Sequence, residues 1–270
     1  MAATGAIAAR PRKRTWLDLE SGPAPSRSAV LGVRIVFAIV VIAIWEAISA
    51  SGLFFGDVVP SLVKILASMW RLLIQDAFWT NLQVTALEIL VALGIGAAAG
   101  IACGIILGAN GFLRKAYEPF MYYFSPTPRI ILFPIMIMWF GIGVESKVAL
   151  GALSSFFAIA LSTSAGMALI DKVLIRVGRS FRASAWQMAT KIYLPAMRVP
   201  VLTGIRLGFG LAMITVLLAE TKLSNKGLGY LVMQFYQRFD MPTLYALLIV
   251  LFLIAGAGNA LIGRFERASR

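Results

Sequence analysis

Residues 180–220 read SFRASAWQMATKIYLPAMRVPVLTGIRLGFGLAMITVLLAE. The opening part is basic and amphipathic, and its pattern predicts a short helix over 181–190. It closes on Ile192-Tyr193-Leu194-Pro195, where proline is expected to force a sharp exit from the helix. An apolar run studded with small residues follows over 199–219, long enough to cross a bilayer. A charged segment wedged between two apolar runs is not there to cross. It reads as a lever on one membrane face, placed for something else to push.

Composition points the same way. Hydrophobic residues are 60% of the 270-residue chain and charged residues 14%, against about 25% charged in an ordinary soluble domain. There is no histidine, and one cysteine, Cys103, lies within an apolar run. A disulfide framework is therefore excluded, and the usual zinc and histidine-dependent catalytic sites lack their ligands. Apolar runs of about 20 residues predict six spans, at 30–50, 84–108, 120–142, 148–170, 199–219 and 244–263. Gly96, Gly100, Gly104 and Gly108 recur every fourth residue in the second span, and Gly204 and Gly208 in the fifth. Such a row makes a flat stripe where another helix can approach closely, so these spans are expected to pack on protein.

Six spans put both termini on one side, and that side carries seventeen basic residues, including Arg114, Lys115, Lys172, Arg176, Arg179, Arg182, Lys191 and Arg198. The other side has six: Lys64, Arg71, Lys147, Lys222, Lys226 and Arg238. Positive residues stay in the cytoplasm, which predicts a multi-pass protein with both termini inside. Topology thus accounts for the net charge of +13, and no nucleic-acid partner is needed. Residues 1–28 read as a disordered cytoplasmic tail, 29–265 as one membrane domain with the lever at about 171–198, and 266–270 as a short cytoplasmic tail. The first span is too long for a cleaved signal and lacks a small-residue cleavage site, so it reads as an uncleaved anchor. Between the first two spans, Leu62, Ile65, Leu66, Met69 and Leu73 share one helical face, with Lys64, Ser68 and Arg71 on the other. That helix, capped by Ser61, is expected to lie along the outer membrane interface.

The order of the lever resembles the cytoplasmic coupling loop of ABC-importer membrane subunits, with its E-A-A-x-x-x-G-x9-I-x-L-P signature. Ala183-Ser184-Ala185-Trp186-Gln187 and Thr203-Gly204-Ile205-Arg206-Leu207 resemble the branch serving taurine, aliphatic sulfonates and nitrate. The likeness extends to Pro126-Thr127-Pro128, Leu132-Phe133-Pro134, Trp139-Phe140-Gly141-Ile142-Gly143 and Gly227-Leu228-Gly229-Tyr230. The chain departs from the signature at its start, with Arg176-Val177-Gly178 in place of Glu-Ala-Ala and Arg182 in place of Gly. The resemblance implies an all-α integral membrane protein of the type I ABC-importer permease fold, with about six transmembrane helices, a coupling helix and an outer interfacial helix. It implies a bacterial inner-membrane location and contact with an ATPase through Arg182, Ala183, Ser184, Ala185, Trp186, Gln187, Ile192, Leu194 and Pro195. The implied partners are two ABC ATPase subunits, a second permease copy, a periplasmic substrate-binding protein and the lipid membrane. No G-x-x-x-x-G-K-[ST] loop is present, so no cofactor is expected in this chain, and ATP and Mg belong to the partner ATPase.

Charged residues inside or beside the spans are Glu46, Glu88, Arg129, Arg206 and Glu220. Each must face protein, water or an interface. Glu46, Arg206, Glu220 and Glu88 read as structural partners, with Glu220 carried also as a candidate path residue. Arg129 follows two prolines that free backbone carbonyls, and irregular backbone at membrane depth is tolerated when buried or lining a cavity. Two readings stay open: Ser125, Thr127 and Arg129 line the path of an anionic solute, or Arg129 pairs with Glu88. A secondary transporter or channel is the competing function. It would call for a two-fold repeat of broken helices, and no convincing repeat is visible. An embedded enzyme has no acid–base pair to support it.

Overall fold

The structure, a computed structural model, describes residues 26–54 and 58–268. The tail expected over 1–28 lies outside the described residues except for its last three. α1 (Arg27–Ala50) belongs to a unit of its own. Its 24 residues rise about 36 Å, and the Ser26 hydroxyl caps it by accepting from the Ala29 N–H at 3.2 Å.

The second unit is built from α2 (Leu62–Leu73), α3 (Asp76–Ala109), α4 (Gly111–Phe124), α5 (Phe133–Phe140), α6 (Val144–Ala168), α7 (Lys172–Ser180), α8 (Ala185–Met188), α9 (Leu194–Ala196), α10 (Arg198–Lys222), α11 (Leu228–Gln237) and α12 (Met241–Ala268). Among the described residues, five helices, α1, α3, α6, α10 and α12, are long and apolar enough to cross a membrane. The span expected at 120–142 is not one helix. Pro126 and Pro128 have no N–H to continue the ladder of α4, so the chain turns over 125–128 and resumes through a 3-10 turn, Arg129–Leu132, into α5. At the other end α12 stays helical through Ala268, and Glu266 is 7% exposed.

At the centre lies α6. The glycine row of α3 runs along it in parallel, Gly96 meeting Ser155, Gly100 Ile159, Gly104 Thr163 and Gly108 Met167. A Cβ at Gly104 would stand 2.7 Å from the Ala160 carbonyl oxygen, and one at Gly100 2.9 Å from that of Phe156. The backbones can approach this closely because these residues have no side chain. On the other flank α10 runs antiparallel, with Gly204 against Ser162 and Gly208 against Ile159. The helix period of 61–75 misassigns the inward face of α2. Ile65, Ser68 and Leu72 are buried, while Leu66 is 56% exposed. Leu72 joins Phe78, Leu228, Leu247 and Leu251 in one core cluster, so α2 is seated on α12 as well as being amphipathic.

Candidate functional site

The lever predicted between the fourth and fifth spans is a helix–turn–helix. Asp171 caps α7, its carboxylate accepting from the Val173 N–H at 2.8 Å. The helix closes in a Schellman pattern, Ala183 N–H donating to Gly178 O at 3.0 Å and Arg182 N–H to Arg179 O at 2.9 Å. This turn needs a residue in the left-handed region, and Arg182 occupies it with φ 50°. The signature glycine therefore has a backbone reason, which this chain forgoes. Gly178 has the opposite meaning. A Cβ there would collide with Ile192 Cδ1 and lie 2.5 Å from Met188 Sδ, so two larger side chains fill the room that an alanine would take.

Ser184 then starts α8 with a capping box. Its hydroxyl accepts from Gln187 N–H at 3.2 Å, and Gln187 Oε1 accepts from Ser184 N–H at 2.8 Å. The S-x-x-Q spacing announces this device, so the Gln187 amide oxygen is committed locally and is not free for a partner. The exit expected at Pro195 is also corrected. The path widens into a π turn over Ala189–Tyr193, and Pro195 sits inside α9. Widening the turn eases the clash of a proline ring with the carbonyl four residues back, and the break falls at Met197 (φ −105°, ψ 17°).

Met188, Tyr193, Met197 and Val201 pack with Met167 and Ile170 into a buried base, joined by Ala183 and Ile192. Among the nine residues assigned to ATPase contact, Ala183 and Ile192 thus build the support. Arg182, Ser184, Ala185, Trp186, Gln187 and Pro195 are exposed and Leu194 is half-buried. Phe181 is 82% exposed and Trp186 76%. Two large aromatic side chains held out on a well-packed base form a surface suited to a partner. Arg182→Gly should relieve about 1–2 kcal/mol of left-handed strain, offset by about 0.5–1 kcal/mol of added chain entropy. The expected result is roughly two- to five-fold slower amide hydrogen exchange in the 181–184 turn. Unchanged or faster exchange would contradict it.

Far from this segment, where α3, α6, α10 and α11 meet, lies a buried cluster of charge. Lys147 (3% exposed) pairs with Glu88 (0%) at 2.7 Å and donates to Ser224 Oγ at 2.9 Å. Glu220 (1%) accepts from Thr85 Oγ1 at 2.7 Å and from Gly229 N–H at 2.7 Å. Thr85 in turn accepts from Leu228 N–H at 2.7 Å, and Asn81 Oδ1 accepts from Gly227 N–H at 2.6 Å. Three successive amides at the start of α11, orphans of any helix, are thereby satisfied by three side chains. A side chain at Gly227, φ 108°, would collide with the Glu220 carboxylate. Glu220, a candidate for the solute path by sequence, has its carboxylate closed in by these partners. Asn81, Thr85 and Lys147 carry no sequence signal of this role, because Lys147 reads as one more basic residue near a span end.

Arg129 does not pair with Glu88. Its Nη2 donates to Phe124 O at 3.2 Å and Ser125 O at 2.6 Å, and its guanidinium lies 4.9 Å from the Phe157 ring centroid. It caps the carbonyl end of α4, where a cation is favoured. Thr127 is exposed, and Ser125 lines a groove of about 1040 Å³ shared with Tyr122, Ser162, Phe209, Phe252 and Asn259. Arg206 is held by Asn259 Oδ1 at 2.7 Å and Glu266 at 3.5 Å, and Thr203 donates to Glu266 at 3.0 Å.

Long apolar helices on a small-residue seam, with a polar helix–turn–helix displayed between two of them, define a multi-pass membrane transport subunit. Residues 96–270 match the family of binding-protein-dependent transport system inner membrane components, and the chain belongs to that family as a permease subunit of an ABC importer. It is 28% identical over 228 residues to SsuC of Bacillus subtilis (strain 168), named for aliphatic sulfonates transport, covering 84% of this chain and 83% of that one. Over 154 residues it is 34% identical to the taurine transport system permease TauC of Escherichia coli (strain K12), covering 57% and 56%. It is 29% identical over 231 residues to the formylaminopyrimidine transport permease ThiX of Halalkalibacterium halodurans, covering 86% and 92%. Among solved structures, the inward-facing MetNI methionine ABC transporter aligns with a TM-score of 0.63 at 19% identity, over 75% of this chain and 98% of that chain. That likeness is one of fold.

Proposed function

We propose that this chain forms the translocation path for a small anionic solute, which a periplasmic binding protein delivers, and that ATPase subunits dock on the α7–α8 segment. The observation that carries the docking half is the exposure of Phe181 and Trp186 on the Met188–Tyr193–Met197 base. Two ATPases hold ATP and Mg, two copies of this chain enclose the path, and the basic side with both termini faces the cytoplasm. The names of SsuC and TauC support a sulfonate-like solute, and that of ThiX marks the class against which it must be compared. The groove that includes Ser125 supplies a candidate wall for the path, with Thr127 beside it and Arg129 bracing the broken span rather than meeting solute.

Trp186→Ala and Ala185→Arg should leave a membrane-inserted chain that no longer retains its ATPase through detergent purification and has lost uptake. ATPase retention and uptake at wild-type level in both variants would sink the docking assignment. For the solute, proteoliposome uptake of taurine, an alkanesulfonate, nitrate and formylaminopyrimidine should favour the first two. Uptake confined to formylaminopyrimidine would refute the anionic reading.

A further inference from the structure

The α7–α8 segment carries an unneutralised charge. Lys172, Arg176, Arg179, Arg182, Lys191 and Arg198 are all exposed, and none forms an ion pair among the described residues. The one carboxylate in residues 171–198, Asp171, is used to cap α7. At about 100° per residue, α7 has three faces. Ile175 and Gly178 look to the buried base, with Gly178 against Met188 and Ile192. Val173, Leu174 and Val177 form an exposed apolar face, each about half exposed. Lys172, Arg176 and Arg179 cluster on a third face, roughly 140° around the helix from the apolar one.

We infer that this cationic face, continued by Arg182 at the turn, is a specificity-determining surface for an acidic groove on the ATPase partner. The inference rests on the docking reading above and adds the chemistry of the partner. Three observations support it. The three cations of α7, Lys172, Arg176 and Arg179, share one face, which makes a coherent electrostatic target. Seating α7 on a membrane by Val173, Leu174 and Val177 would turn the cations toward water, where a soluble subunit meets them, and away from lipid headgroups. Arg182 also stands at φ 50°, a conformation that disfavours residues with a Cβ, and such strain is consistent with use of the side chain. The departures at Arg176 and Arg182 from the Glu and Gly of the signature then have a common purpose. Arg176 reverses the charge of the signature Glu and Arg182 adds a charge where the signature has Gly, which would let an importer of this type discriminate between motors.

The test is assembly of the full chain, in nanodiscs, with the ATPase that co-purifies with it. Wild-type affinity should fall about tenfold between about 0.05 M and about 0.5 M salt. Arg176→Glu with Arg179→Glu should weaken assembly about tenfold at low salt and flatten the salt dependence. Arg176→Lys should keep most of both, and Trp186→Ala should weaken assembly while leaving the salt slope intact. Carboxylate-to-lysine changes in the ATPase groove should restore binding to the charge-reversed chain. Undiminished assembly of the charge-reversed chain would overturn the electrostatic inference while leaving docking in place. Assembly that follows the anionic-lipid content of the nanodisc, with no response to ATPase charge, would reassign the face to lipid and also overturn it. Undiminished assembly when Trp186→Ala is combined with the charge reversal would refute the docking reading and this inference together.

Discussion

Replacing Lys147 with methionine should destabilise the chain by about 3–5 kcal/mol, the cost of removing one partner from a buried ion pair. The pair is closed off on every side, with Lys147 3% exposed, Glu88 0% and a separation of 2.7 Å. Glu220 lies in the same cluster with 1% exposure, so losing the ammonium leaves Glu88 buried without a cation beside a second carboxyl group. The loss should propagate to α11, because Lys147 also holds Ser224 in the loop that leads into Gly227–Gly229. Lys147→Met combined with Glu88→Met should recover most of the stability, since an apolar pair of similar volume is often neutral at a buried site. Thermal unfolding of the detergent-solubilised protein, followed by helix content and by retention as a single size-exclusion peak, measures both. A single variant that melts with wild type, or a double variant no better than the single, would show that the pair is not structural.

The seam between α3 and α6 should be equally intolerant, and one helix supplies its own control. At Gly104 an added Cβ would lie 2.7 Å from the Ala160 carbonyl oxygen and 2.9 Å from Thr163 Cγ2. Backbone cannot yield as a flexible side chain can, so Gly104→Ala should cost about 1–3 kcal/mol and Gly104→Leu should abolish accumulation in the membrane. Gly94, in the same helix, has nothing within 4 Å of the point where a Cβ would stand. Gly94→Ala should be neutral, or stabilise by up to about 1 kcal/mol through helix propensity. Expression yield and thermal midpoint of the three variants decide the matter. Equal behaviour of Gly94→Ala and Gly104→Ala would mean that the glycine row is not a contact surface.

Much of the site is legible in the sequence because its signals are local. Apolar length reports a crossing helix and Pro126 and Pro128 report a broken ladder, whereas the helix expected from 181 starts only at Ala185, behind the Ser184 capping box. Each depends on hydrogen bonds made within a few residues. What the chain does with the freed carbonyls is not legible. Arg129 satisfies Phe124 and Ser125, five and four residues back, where charge alone makes a distant carboxylate an equal partner. The inner face of α2 is hidden for a related reason. Its period is amphipathic around a wide arc, and only contact with α12 selects Ile65, Ser68 and Leu72 as the inner face.

The chain by itself determined that this is an all-α membrane protein, that its glycines lie in helical register, and that a basic lever interrupts the apolar runs. These follow from periodicity and from the cost of placing charge or unbonded backbone in lipid. The tertiary structure alone decided which buried charges meet. Thr85 and Glu220 are 135 residues apart in sequence, and Lys147 and Ser224 77. No local rule connects such pairs, because the packing of α3, α6, α10 and α11 on one another sets them. The left-handed turn at Arg182 belongs to the same class. Its backbone is imposed by the seating of Met188 and Ile192 against Gly178 and the buried base, and arginine carries no local preference that would have announced it.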